Sequence, residues 1–269
     1  MNAFAFHFGF EFKTGLRNPN LLLLNYLFPL GFYAAMGVVM TRINPGFTEV
    51  MVPSMALFAI LASTVLGLPA PLVEDREAGV YRSFKINGVP ALSILIIPAL
   101  TTIFHALIAA TLVAVSAPFL FGGVPPESWT ALFGVLVVTA FACGGIGALI
   151  GVVSANSRAT ILWSQLIFLP SMLIGGLMVP LSELPPAFVP IAGLLPTAQA
   201  MQAIQGLAYH QPTIIPPLLS LAALAGGALL SFALATYLFN WDTRNASRRG
   251  HPALALLAWI PYALTILLA

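Results

Sequence analysis

The densest chemistry in this sequence lies between residues 74 and 85. Glu74, Asp75 and Glu77 come first, Arg82 and Lys85 last, with Arg76 and Tyr81 among them. Acids early and bases late complement a helix macrodipole, and Gly88 followed by Pro90 is a common helix ending. The stretch reads as one short helix with a defined end. It is either a docking element for a partner or a charged connection that only sets topology. Little else is reactive. The two lysines sit in Phe12-Lys13-Thr14 and Phe84-Lys85-Ile86, neither preceded by glycine, so the phosphate-cradling G-x-x-x-x-G-K-[ST] loop is absent. There is no H-E-x-x-H and no G-x-S-x-G, and hence no sign of a zinc or serine hydrolase. Cys143 is the single cysteine and lies in an apolar run, where it reads as a small core residue. His105 is the one titratable group deep inside an apolar stretch. A neutral imidazole bonded to a neighbouring helix is its plain reading, and a proton relay or ligand site the sharper one.

The elements that hold these residues are membrane spans. Of 269 residues 59% are hydrophobic and 7% charged, against roughly 25% charged in a soluble domain. At ~20 residues per spanning helix, seven spans use about half the chain. Apolar runs at 21–41, 50–72, 91–117, 129–152, 159–179 and 215–239 form a core, and 253–268 adds a shorter one. Pro261 and Trp259 sit near the middle of that last run, which reads as a tilted span rather than a re-entrant hairpin. No Asp, Glu, Lys or Arg falls in the middle of a span, where each would cost roughly 2.5–3.5 kcal/mol. Transporters driven by protons or ions usually carry such charges, so that class is disfavoured.

Basic residues fix the orientation. Lys13, Arg17, Arg76, Arg82, Lys85, Arg158, Arg244, Arg248 and Arg249 fall on one side and only Arg42 on the other. The positive-inside rule makes the first side cytoplasmic, with the N-terminus. No positively charged segment precedes an apolar one at the start, so no cleaved signal peptide is expected. Arginine outnumbers lysine eight to two, a composition of GC-rich bacterial genomes.

Three further segments are unusual. Residues 180–212 are proline-punctuated yet apolar, as suits helices that dip into the outer leaflet and return, where protein buries their backbone. Phe4, Phe6, Phe8, Phe10 and Phe12 alternate, a strand periodicity; on a helix Phe4, Phe8 and Phe12 would share one face. Gly147 and Gly151 form G-x-x-x-G, read as close packing within the chain.

Three stretches together resemble the membrane subunit of ABC-2 type exporters, the type V ABC transporter fold. They are Glu74-Asp75-Arg76-Glu77-Ala78-Gly79-Val80-Tyr81-Arg82, Met178-Val179-Pro180-Leu181-Ser182-Glu183-Leu184-Pro185-Pro186 and Leu195-Pro196-Thr197-Ala198-Gln199-Ala200-Met201-Gln202-Ala203-Ile204. The resemblance covers roughly residues 1–240. It implies an all-α membrane protein with a six-span core, a helical N-terminus lying at the interface, re-entrant outer helices between spans five and six, and an extra C-terminal span within 241–269. Gln205 stands where the family often has arginine. The resemblance further implies a homodimer in the bacterial inner membrane. Two ATP-binding subunits would dock on Glu74, Asp75, Arg76, Glu77, Tyr81 and Arg82. This chain would hold no cofactor, and the partner would bind ATP and Mg.

By the same resemblance, spans two and five line the path, at Phe58, Leu61, Val65, Leu166, Phe168 and Met172. These are apolar, and methionine adapts to varied partners. The implied activity is export of a lipophilic or amphipathic substrate such as a drug, antibiotic or lipid. Export of a lipid-linked polysaccharide is the alternative, and a secondary transporter using His105 or a membrane-embedded enzyme is weaker.

Overall fold

The computed structural model describes residues 3–241 and 250–268, and every regular element among them is helical. Arg244, Arg248 and Arg249, counted above for orientation, lie outside the described residues. Among the described residues, five helices are long and apolar enough to cross a membrane: Pro19–Ile43, Phe47–Glu77, Leu92–Phe121, Trp129–Val153 and Pro217–Leu238. These are spans one, two, three, four and six. Span five, Ser157–Leu173, has 17 helical residues and ends earlier than its apolar pattern, because Gly175 and Gly176 follow and Gly176 turns to φ 85°. The C-terminal run Pro252–Leu268 is also short by residue count.

That last helix reaches further than its count suggests. Pro252–Trp259 is a 3₁₀ helix and Ile260–Leu268 an α-helix. At about 2.0 Å per 3₁₀ residue and about 1.5 Å per α residue, the two lengths sum to ~30 Å, the thickness of a hydrocarbon core. It starts beside Leu238 at the end of span six and finishes beside Gly193 on the opposite face. The helix therefore traverses the bundle instead of folding back.

Span four is the hub, and its glycines set the spacing. Gly144 faces Ile103 of span three, and Gly145 faces Ser231 and Ala228 of span six. Gly147 lies against the Thr64 carbonyl of span two, and Gly151 against Leu72 and the Pro69 carbonyl. The G-x-x-x-G pair thus seats span two, as small residues do where backbones approach closely. Spans one and two each contain a π-helical stretch, Leu23–Leu27 and Ala62–Gly67. These meet where Ser63 Oγ donates to the Asn25 carbonyl at 3.4 Å.

The N-terminal segment Ala3–Arg17 is a helix, against its strand periodicity. Phe8 and Phe12 stack on each other and meet Phe104 edge-on, at centroid distances of 6.4 and 5.8 Å. Phe10 points away and is 62% exposed. Two apolar faces give an alternating pattern when one meets protein and the other lipid. His105 lies flat against Phe12, ring centroids 4.3 Å apart, and its Nδ1 pairs with the Tyr26 hydroxyl at 2.7 Å. The histidine joins three helices as a hydrogen-bonded core residue.

Gly147→Ala and Gly134→Ala test the hub. A Cβ at 147 runs into the Thr64 carbonyl, whereas one at 134 meets nothing within 4 Å. Gly147→Ala should lose about 1–3 kcal/mol, and Gly134→Ala should be neutral or gain up to about 1 kcal/mol. Thermal unfolding in detergent reads the difference; equal melting temperatures would refute the assigned role of Gly147.

Candidate functional site

The charged segment is built differently from its sequence pattern. Span two continues as one helical rod from Phe47 to Glu77, through its π-helical stretch and a turn at Leu68. At about 1.5 Å per residue this is ~46 Å, so the helix overhangs a ~30 Å hydrocarbon core by roughly ten residues. Gly79 then adopts φ 78°, and a separate helix, Val80–Ile86, begins. The single helix read from the acid-to-base order is thus two elements with a left-handed glycine between them. The correction reverses the dipole reasoning: Glu74, Asp75 and Glu77 sit at the C-terminal end of a long helix, where negative charge is disfavoured.

Arg76 points the other way from its acidic neighbours. It is 7% exposed, and its guanidinium donates to three carbonyls at the end of span four. Nη1 reaches Val152 at 2.9 Å and Gly151 at 3.3 Å, and Nη2 bonds the Ser154 carbonyl. The last carbonyls of a helix have no intrahelical partner, and a planar cation with several donors answers three at once. Glu77 is also engaged, accepting from the Ser157 hydroxyl at the start of span five at 2.8 Å. The junction between spans four and five is thereby fastened to the overhang of span two.

Tyr81 is likewise buried, 3% exposed. Its ring meets Phe239 at 5.7 Å, Phe239 meets Trp241 at 5.4 Å, and Lys85 lies 6.0 Å from the Trp241 ring centre. Burial pushes the Tyr81 hydroxyl above its usual pKa, and the charge of Asp75 adds to the shift. The tyrosine is therefore a neutral aromatic anchor joining the 80–86 helix to the end of span six. Of the six residues assigned to docking, Glu74, Asp75, Glu77 and Arg82 have exposed side chains, and Arg76 and Tyr81 serve the interior. Glu11, from the N-terminal helix, adds like charge beside Asp75. Ser157, Phe239, Trp241 and Glu11 had no sequence signal of their own.

The six apolar path residues divide as well. Phe58, Leu61 and Val65 are fully enclosed. Phe58 stacks on Phe32 at 4.1 Å and meets the buried Phe168 at 5.8 Å. Met172 is half-buried against the same core. Leu166 is 61% exposed, on a stripe with Leu162, Leu169 and Leu173. The structure thus brings Phe58 and Phe168 together and leaves Leu166 on the surface of span five.

On the far side from the charged segment, residues 181–208 form a 3₁₀ turn at Leu181–Glu183 and two helices, Val189–Gly193 and Pro196–Ala208. The longer is ~20 Å at 1.5 Å per residue, too short to cross, and nearly all of it is buried. Gln202 Oε1 accepts from the Ile214 and Ile215 amides at 2.7 and 3.1 Å, pinning the chain as it re-enters span six.

An all-helical bundle with five helices of membrane-crossing length among its described residues is a multi-pass membrane protein. The chain belongs to the ABC-2 family: the sequence profile described as "ABC-2 family transporter protein" matches residues 28–237, well over half its length. No curated protein matches it. Membership makes it the membrane subunit of an ABC transporter and implies an ABC ATPase partner.

Arg76→Ala should cost about 3 kcal/mol, because the carbonyls of span four lose a charged donor inside the protein. Arg76→Lys should not restore it, since one ammonium cannot reproduce the planar fork. Detergent melting curves check both, and full recovery with lysine would show that charge alone is needed there.

Proposed function

We propose that this chain works as one of two identical membrane subunits of a bacterial inner-membrane exporter, with its basic face and N-terminus in the cytoplasm. A separate ATPase subunit docks on each copy at the elbow formed by the overhang of span two and the 80–86 helix. The partner supplies the nucleotide site with its ATP and Mg, and this chain supplies the path.

One observation carries the docking assignment. Three carboxylates occupy a helix end that repels them, exposed and next to the exposed Arg82. Each such placement costs roughly 0.3–1 kcal/mol in the isolated chain. Complementary charge on a partner offsets that cost and fixes register and encounter rate. The inward contacts of the same segment then have a distinct task. Arg76 and Glu77 reach the junction of spans four and five, and Tyr81 reaches span six, so displacement of the elbow bears on three spans together.

The substrate we assign is lipophilic or amphipathic. The Phe58–Phe32–Phe168 layer and Met172 offer apolar, adaptable surface, with Leu61 and Val65 beside it. The exposed stripe containing Leu166 is where the second copy would complete the path. In the single chain this layer is closed, so passage requires spans two and five to part.

Two substitutions test docking. Arg82→Glu and Glu74→Arg alter exposed side chains, and a cooperative melting transition in each shows that the bundle is intact. Each should reduce retention of the ATPase subunit in co-purification by roughly tenfold or more. Wild-type retention by both would remove the elbow as the docking site. Stimulation of ATP hydrolysis in the reconstituted complex by hydrophobic cations or phospholipid, and not by lipid-linked glycan, would support the substrate class.

A further inference from the structure

Residues 250–268 lie beyond the family match, and the transport reading gives them no task. They touch the bundle at three heights. Near the charged face Gly250 lies against Tyr237 and Leu238 at the end of span six. Halfway across, Tyr262 is fully buried in the gap left by Gly227, and Pro261 packs on Gly226. At the far face Ile266 lies over Gly193. The outward stripe Leu256, Ile260, Leu264 and Leu267 is exposed and the inward stripe Ala258, Tyr262 and Thr265 buried. A helix that merely filled space against lipid would need no polar group on the inward stripe.

Thr265 is such a group, and its hydroxyl is used twice. It donates to the Tyr262 carbonyl at 2.7 Å and accepts from Gln199 Nε2 at 2.7 Å. The same Gln199 nitrogen donates to the Gly193 carbonyl at 2.6 Å. Gln199 is fully buried and sits in the 196–208 helix, and Gly193 ends the 189–193 helix. One primary amide, with its two hydrogens, thus joins both far-side helices to the C-terminal helix. Tyr262 in turn locks that helix to span six.

We propose that the C-terminal helix is a fixed tie, through which span six and the two far-side helices move as one body, with Thr265 and Gln199 as its positioning residues. Tyr262 fills the Gly227 gap and prevents sliding along span six. Thr265 and the Gly193 carbonyl pair both hydrogens of the Gln199 amide nitrogen, so the far-side helices cannot tilt away without leaving a buried donor unpaired. The inference rests on the transport reading only where ATP turnover is measured.

Two experiments on the full chain test it. The first needs no ATPase. Ala192 is fully buried on the 189–193 helix, and Cys143, the native cysteine, is buried too. In purified Ala192→Cys protein, adding Thr265→Val should raise the maleimide labelling rate at residue 192 roughly fivefold or more. Thr265→Ser should keep it near the parent rate. Equal rates for valine and threonine would overturn the positioning role. The second locks the contact. A Cβ at Gly193 lies 3.2 Å from Ile266 Cγ1, within reach of a disulfide in Gly193→Cys with Ile266→Cys. Oxidised and reduced complexes should hydrolyse ATP within about twofold of each other if the joined parts never separate. Failure to form the disulfide, or a reductant-reversible loss of roughly tenfold on oxidation, would overturn the tie. No ATP hydrolysis in either form would count against the transport reading, leaving the labelling arm to decide the tie.

Discussion

Backbone polar groups released at a helix end inside a lipid-solvated protein must be answered by the protein itself, since lipid offers no hydrogen bonds. Much of this structure follows from meeting that demand with side chains. Arg76 answers the last carbonyls of span four. Gln202 answers two amides ahead of span six, and Gln199 the carbonyl that ends the 189–193 helix. Asn156 caps the start of span five through the Ala159 amide. Each of these side chains comes from one segment and closes a break in another or in its own, so the interruptions become joints between helices. A chain with so few polar residues places them where the backbone is open.

The joints also divide labour within the charged segment. Its exposed carboxylates and Arg82 face outward, and Arg76 and Tyr81 face the bundle. The same short stretch thereby keeps a charged outer surface and a grip on spans four, five and six. Gly79 makes this division possible. A continuous helix would carry Val80–Ile86 onward along the axis of span two, away from Phe239. The left-handed turn instead lays Tyr81 against that ring.

Much of the architecture was legible in the sequence because lipid imposes simple rules. Apolar run lengths located the spans, and charge asymmetry grouped the loops. Glycine spacing in span four marked a close contact. What failed was local and three-dimensional. Acids before bases read as one helix because dipole logic assumes continuity, and nothing in the residue types announced that Gly79 would break it. Arg76 looked like another surface charge of the elbow, since arginine caps carbonyls and docks partners with the same atoms. The early end of span five at Leu173 was hidden, because Ile174 to Val179 stays apolar whether helical or not. Phe58 and Phe168 were placed together, but their burial against Phe28 and Phe32 depends on span one, which the pattern of spans two and five cannot reveal.

The mixed geometry of the C-terminal helix ties the protein to bilayer thickness. Span two has residues to spare beyond the thickness of a hydrocarbon core. Pro252–Leu268 has none, since its first half is already stretched to 3₁₀ rise and both ends are held, by Gly250 on one face and Thr265 on the other. Hydrophobic mismatch therefore falls unevenly on this molecule, concentrating in one strand of backbone. The fold suits a hydrocarbon layer close to the length that this one helix spans, and the acyl composition around it becomes part of what sets its resting shape.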